Sequence, residues 1–158
     1  MSRSEFETEE FLLYRLPTVG RRVSRICEAE YAAEFGLKVT EWRLMAQVYR
    51  FGPISGKDVS ERIARDPVAI SRAAFSCVSQ GLIQEIPDTS DRRSKRFTLT
   101  TAGKAFMKRF EPRASDLAKR MESGLTASEA RTLKVLLKKL EATLSQMSPP
   151  MRGDVDAA

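Results

Sequence analysis

The sequence contains no histidine. Histidine is the commonest general base near neutral pH and the commonest metal ligand, so its absence argues against most acid–base enzymes and most metal sites. The two cysteines, Cys27 and Cys77, lie far apart and form no CxxC pair, which argues against a zinc site or a disulfide framework. The common glycine-rich phosphate-binding motifs are also missing. We therefore expect no catalytic residues, no metal and no cofactor, and a protein that is not an enzyme.

Long hydrophobic runs are missing as well. No apolar stretch is long enough to span a bilayer. The first ten residues are polar and acidic, whereas a secretory signal begins with basic residues and continues with apolar ones. These features predict a cytoplasmic protein without a membrane partner.

What is present fits one globular domain with a basic surface. The chain has 158 residues, of which 42% are hydrophobic, and this is enough for a real core. Lysine and arginine number 27 against 21 acidic residues, for a net charge of +6. An excess of positive charge favours a polyanionic partner, although a soluble protein can be basic without one.

The apolar spacing predicts long helices at both ends of the chain. The first runs over residues 6–35, with Pro17 kinking it or starting a new turn and Gly36 ending it. A second helix is expected to begin at Thr40 as its N-cap and to end before residues 52–53. Two further helices follow Gly103, and the last begins at a capping box over residues 126–129. Residues 148–158 are expected to form a disordered tail.

Two short helices in the middle of the chain carry the most informative pattern. Ser55 is a candidate N-cap for a helix that ends near Ala64. Asp66 followed by Pro67 then signals a new helix, which runs to Gln80. Two short helices joined by so few residues must cross at a steep angle, which predicts a helix-turn-helix.

A β-hairpin is predicted directly after the helix-turn-helix. Apolar residues shift to strand-like spacing in residues 82–86 and 96–100, and residues 87–94 between them are rich in turn formers. The turn and the start of the second strand carry four cations, Arg92, Arg93, Lys95 and Arg96. A basic hairpin in this position is typical of a wing.

The order of these elements resembles the MarR family of bacterial regulators from about residue 11 to residue 147. The most specific match is Asp91-Arg92-Arg93 followed by Leu-Thr-Thr-Ala-Gly at residues 99–103. Supporting matches are Ala-Ile-Ser-Arg at 69–72, Gly-Leu-Ile at 81–83, and residues 37–42. The resemblance implies a mainly α fold with a small β-hairpin wing in a single domain, 1–158. Its winged helix-turn-helix lobe would span 37–104, with dimerisation helices at 6–36 and 105–147.

The function that the resemblance implies is sequence-specific DNA binding by a homodimer on a pseudo-palindromic operator. We favour a ligand-responsive repressor, although an activator would bind DNA in the same way. The apolar face of the last helix is broad and agrees with a dimer, because a monomer would leave it exposed. That face consists of Leu133, Leu136, Leu137, Leu140, Leu144 and Met147.

The candidate DNA contacts within the two short helices follow from their spacing. In the second short helix Val68, Ser71 and Arg72 are expected to face the major groove. Residues Ile70, Ala73, Ala74 and Cys77 repeat at helical spacing and are expected to face the core, whereas the side of Phe75 is undecided. Ser55 and Lys57 begin the preceding helix and would suit a phosphate, although Ser55 also serves as a cap.

In the wing, Arg92, Arg93 and Lys95 are the candidate DNA contacts, with Arg93 the strongest. Asp91 is placed to bond back to Arg93 and fix its position. In the family this Asp-x-Arg arrangement directs the second arginine into the minor groove. The alternative is an ordinary solvated hairpin tip. Glu85 stands where the family usually has a basic residue. Its carboxylate would repel phosphate, so we expect the base of this wing to contribute less to DNA binding than is usual in the family.

Other roles remain open for several residues. Arg21, Arg22, Trp42 and Arg43 would suit a small anionic or aromatic effector, but each is equally a candidate surface or core residue. A redox-sensing regulator would use Cys27 or Cys77, but we expect both to be buried. A third alternative is a winged-helix module that binds proteins and does not bind DNA.

Overall fold

The structure, a computed structural model, describes residues 11–91 and 93–147. It consists mostly of helices, with one small antiparallel sheet. In chain order the elements are α1 (Leu12–Phe35), α2 (Val39–Phe51), β1 (Ile54–Ser55), α3 (Gly56–Ile63), α4 (Pro67–Ser79), β2 (Ile83–Pro87), β3 (Lys95–Leu99), α5 (Thr101–Glu122) and α6 (Ala127–Met147). The predicted order of helices and hairpin is confirmed, whereas residues 6–10 and the predicted tail lie outside the described residues.

The first two helices agree with the prediction except at the start of α2. Helix α1 continues through Pro17 and ends at Gly36, whose left-handed φ of 67° suits a residue without a side chain. Thr40 is not the N-cap of α2, because the helix already begins at Val39 and Lys38 is its cap residue. The carboxylate of Glu41 accepts a hydrogen bond from the Lys38 backbone N–H at 2.8 Å. This contact fixes the start of the helix two residues before Thr40, the residue with the best cap propensity.

Side-chain caps define the predicted helix-turn-helix. The Ser55 hydroxyl accepts from the Asp58 backbone N–H at 3.1 Å, and Asp66 accepts from the Ala69 N–H at 3.0 Å. Between α3 and α4 the buried Ser60 hydroxyl donates to the Arg65 carbonyl at 2.5 Å. The turn between the two helices is therefore held by a satisfied buried polar group.

The sheet contains one strand more than the sequence predicted. Strands β2 and β3 form the predicted hairpin, with Ile83 opposite Leu99 and Glu85 opposite Phe97. β1 pairs with the other edge of β3 and gives the order β1-β3-β2. A strand of two residues carries no alternation in sequence, and only its tertiary partner identifies it.

The Leu-Thr-Thr-Ala-Gly segment joins the sheet to α5. The Thr100 hydroxyl caps α5 by accepting from the Gly103 N–H at 2.9 Å, and it donates to the Gly81 carbonyl at 2.6 Å. Leu99 is buried, and a β-carbon at Gly103 would overlap the Leu82 carbonyl oxygen. Leu99, Thr100 and Gly103 of this motif therefore each have a structural role in joining the sheet to α5.

The core lies between α2, α4, the sheet and the middle of α1 and α5. Its largest fully buried side chains include Leu37, Leu44, Met45 and Ile70. Tyr31 of α1 packs edge-on against Phe110 of α5, with ring centroids 4.8 Å apart. Helix α6 contributes little, since Ala130 is its only buried residue.

Gly103→Ala tests the close approach of α5 to the sheet. The new β-carbon would collide with backbone, so we expect a loss of about 1–3 kcal/mol in the free energy of unfolding, measured by urea denaturation. Gly20→Ala is the matched control, because Gly20 also lies within a helix and has no atom within 4 Å of a β-carbon. The control should be neutral or stabilising by up to about 1 kcal/mol. Equal effects of the two changes would contradict the packing account.

Candidate nucleic-acid interface

Helix α4 has one buried and one exposed side. The predicted core residues Ile70, Ala73, Ala74 and Cys77 are all buried. The opposite side carries the predicted DNA contacts Val68, Ser71 and Arg72, all exposed. Phe75, which the sequence left undecided, is on this side as well and is 76% exposed. The helix thus offers a mixed apolar, hydroxyl and cationic surface to solvent.

At the start of α3 the two predicted phosphate contacts differ. The hydroxyl of Ser55 accepts from the Asp58 N–H and donates to the Asp58 carboxylate at 2.8 Å, so its hydrogen bonds serve the helix cap. Lys57 is exposed in the first turn of the helix. An anion at this helix end would therefore meet the Lys57 ammonium and backbone N–H groups, not the serine side chain.

Asp91 organises the described part of the wing tip. One of its carboxylate oxygens accepts from the Arg93 backbone N–H at 2.9 Å, as the sequence predicted, and the other accepts from the Ser94 hydroxyl at 2.6 Å. The Ser94 hydroxyl and the Arg93 N–H hold the pKa of Asp91 below its ordinary value. The Arg93 side chain is exposed, while Arg92 lies outside the described residues.

The base of the wing is fixed by a buried carboxylate that the sequence did not reveal. The Asp88 carboxylate accepts from the Ser90 backbone N–H, the Ser90 hydroxyl and the Arg96 guanidinium, the last at 2.6 Å. These hydrogen bonds, with those from Ser90 the largest contribution, keep the pKa of Asp88 far below its ordinary value. Arg96 also donates to the Pro53 carbonyl at 3.1 Å, which ties the wing to the loop before β1.

The three described wing cations, Arg93, Lys95 and Arg96, therefore differ in their contacts. Arg96 is engaged by Asp88 and Pro53. Lys95 pairs with Glu85 across the hairpin, with a distance of 2.5 Å between the ammonium nitrogen and a carboxylate oxygen. The sequence shows how many cations the wing carries, but the strand register determines which of them lie next to an acidic side chain. Within the described ranges, an acid holds the backbone N–H of Arg93 and none pairs with its guanidinium.

The four predicted effector residues do not form one cluster. Trp42 lies in the aromatic cluster, 5.5 Å from the Tyr31 ring, and Arg43 lies 5.6 Å from the Trp42 ring. Arg21 and Arg22 are exposed on α1. Among the described residues, no hydrogen bond, ion pair or ring contact joins those two arginines to Trp42 or Arg43. The Trp42 indole N–H is buried and has no hydrogen-bond partner within the described chain.

A charged cleft that the sequence did not predict lies between α1 and α5. Arg113 pairs with Glu34 at 2.9 Å and Arg120 pairs with Glu30 at 2.8 Å. Tyr31 and Asp116 complete the lining. The glutamates lie on one helix and the arginines on the other. The sequence therefore identifies these pairs only once the two helices are known to be neighbours. Their role is to join α1 to α5.

Both cysteines are buried, as expected. Burial raises the pKa of the Cys27 thiol and raises that of the Cys77 thiol to about 12. A thiol with a raised pKa remains protonated and reacts slowly with oxidants. The described residues contain no cluster of acidic or cysteine side chains that would hold a metal ion, and none of the described helices is long and apolar enough to cross a membrane.

Comparison with known proteins identifies the family. A family model described as the MarR family matches residues 35–94. The chain is 31% identical over 113 residues to the helix-turn-helix-type transcriptional regulator YxaD of Bacillus subtilis, covering 72% of this chain and 74% of that protein. The chain belongs to the MarR family. It is accordingly a DNA-binding transcription regulator, and the predicted fold class is confirmed.

Solved structures agree with this membership. A MarR/EmrR family transcriptional regulator from Acinetobacter sp. ADP1 superimposes with a TM-score of 0.82 at 20% identity, covering 89% of this chain and 99% of that one. A cysteine-to-serine variant of Escherichia coli MarR, in complex with operator DNA, gives a TM-score of 0.72 at 25% identity. It covers 82% of this chain and 92% of its own. The relatives are transcription regulators and not enzymes.

Glu85→Gln tests how far the Lys95 pair restrains DNA binding. Removing the carboxylate frees the Lys95 ammonium for a phosphate, so we expect tighter binding to DNA. The plot of log affinity against log salt should become steeper by about 0.9, the value for one further phosphate contact. Fluorescence anisotropy across a salt series measures both.

Glu141→Gln is the control, since it makes the same charge change on α6. An identical gain in both variants would show an effect of net charge alone. No gain in Glu85→Gln would show that Lys95 stays away from phosphate even when it is unpaired.

Proposed function

We propose that this regulator is a ligand-responsive repressor that binds a pseudo-palindromic operator as a homodimer in the cytoplasm. The observation that carries the proposal is the exposed side of α4 together with a wing tip in which Asp91 holds the backbone. A helix-turn-helix places the N-terminal part of its second helix in the major groove. The wing is then in position to reach the adjacent minor groove.

Within this proposal most of the predicted residues have a specific contact. Arg72 has the geometry to donate two hydrogen bonds to a guanine, while Ser71 would contact a base edge or a phosphate. Arg93 would enter the minor groove, where an arginine senses groove width and electrostatic potential. Lys57, Arg92 and Lys95 would contact phosphates, with Lys95 weakened by Glu85.

The homodimer is supported by apolar side chains that the described chain leaves in solvent. On α6, Leu133, Leu136 and Leu137 are between 40% and 56% exposed, and α1 exposes Leu12, Leu13 and Val19. A monomer rarely leaves that much apolar surface uncovered. A two-fold interface would bury these faces in the proposed dimerisation segments, 6–36 and 105–147, and would leave the lobe at 37–104 free for DNA. The two copies of α4 would then lie about 34–36 Å apart.

An effector site is proposed around Trp42 and Arg43. The indole N–H of Trp42 is a buried donor without a partner in the described chain, and the Arg43 cation lies beside the same ring. A carboxylate or carbonyl on an aromatic compound would satisfy both. Arg21 and Arg22 would join this site only after a rearrangement or from a second subunit, because they are exposed on α1.

The experiment is selection of genomic fragments by the purified protein, followed by affinity measurements across salt. We expect enrichment of a pseudo-palindrome and a complex whose mass corresponds to two chains per operator. Arg93→Ala should weaken binding about tenfold, because it removes a positioned cation from the minor groove. Arg72→Ala should cost a similar amount and relax the sequence preference at one position in each half-site.

Arg109→Ala is the control for the loss of one positive charge, since Arg109 lies on α5 outside the lobe and is exposed. It should leave operator affinity close to that of the parent protein. Failure to enrich any sequence, with equal behaviour of all three variants, would overturn the proposal and favour a protein-binding module. One chain per operator would overturn the homodimer alone.

A further inference from the structure

Phe75 is the most exposed large apolar side chain on the described part of the molecule, at 76% exposure. It lies in the third turn of α4, where the helix packs its other side into the core. The residue makes no contribution to that packing, so nothing in the fold of the described chain requires an aromatic ring there. With the exposed Val68, Phe75 forms an apolar strip on this side of α4, and a partner surface would explain such a strip.

The position of Phe75 on the helix determines which surface it faces. At about 100° per residue, Phe75 lies only about 20° around the axis from Val68 and about 60° from Arg72. It is also opposite the buried residues Ile70 and Ala73. Phe75 therefore lies on the same side of α4 as the residues that are proposed to contact DNA.

The distance along the helix fits the major groove. Val68 and Phe75 are seven residues apart, or about 10 Å along the axis, and the groove is about 12 Å wide. The ring therefore remains within the groove or at its edge when Val68 contacts bases. The apolar groups that B-DNA presents in this groove are the C5-methyl groups of thymines.

We propose that Phe75 is a specificity-determining residue that packs against a thymine methyl group in each half-site of the operator. The inference rests on the proposed function, since it requires α4 to lie in the major groove. Burial of the methyl group against the ring excludes water from both surfaces. A cytosine or purine at the same place would offer no methyl group, so the contact discriminates between bases as well as adding affinity.

The test uses the operator selected with the full-length protein and replaces each thymine in turn with uracil, which removes only the methyl group. With the parent protein, one thymine per half-site should show a loss of roughly three- to fivefold, the effect of exposing one methyl group. Phe75→Ala should bind the parent operator more weakly, and the uracil replacement at that thymine should then have no further effect. Phe75→Leu should retain part of the discrimination.

Val68→Ala is the matched comparison, because it removes an exposed apolar side chain from the same side of α4. It should leave the Phe75-dependent thymine unchanged. If Phe75→Ala lowers affinity equally at every sequence, the ring contacts sugar and phosphate, and the specificity proposal is wrong. If Phe75→Ala binds as the parent protein does, Phe75 does not touch DNA, while the proposed function stands. If no operator is selected at all, both proposals fall.

Discussion

The relation between the wing and the helix-turn-helix depends on one buried carboxylate. Asp88 accepts hydrogen bonds from Ser90 and from the Arg96 guanidinium, and Arg96 in turn holds the Pro53 carbonyl. The pairing of β1 with β3 already joins the hairpin to the helix-turn-helix, and these side chains add a second link. This network links the base of the hairpin to the loop in front of α3. The same hydrogen bonds lower the pKa of the Asp88 carboxyl and so favour its ionised form.

As a consequence, some charged residues of the wing hold the hairpin in place, and others are left to bind DNA. Arg96 positions the wing, Lys95 is paired with Glu85, and the Asp91 carboxylate shapes the backbone at Arg93. The resulting binding surface is less cationic than the sequence indicates. In the proposed complex, affinity and specificity would therefore depend more on α4, whose exposed side combines an arginine, a serine and two apolar residues.

Local signals in the sequence were enough to predict most of the fold. The caps at Ser55 and Asp66 and the stop at Gly36 depend on neighbours within three or four residues, and the structure has them as predicted. The predicted cap at Thr40 is wrong because the Glu41 carboxylate accepts from the Lys38 backbone N–H and starts the helix earlier. The Arg96 network and strand β1 depend on partners far along the chain, and no local pattern reports them. For the same reason the sequence could place Arg93 in the wing but could not tell its role from that of Arg96.

The central claim is that the Arg93 tip and the Ser71 side of α4 occupy adjacent grooves of each half-site at a fixed separation. A DNA-cleaving iron chelate tethered to Arg93→Cys, and in a second protein to Ser71→Cys, tests it directly, because both native cysteines are buried and would not react. We expect cuts in the minor groove at the outer flank of each half-site from position 93, and cuts in the major groove nearer its centre from position 71. Overlapping cuts from the two positions, or cuts scattered over the whole fragment, would contradict it.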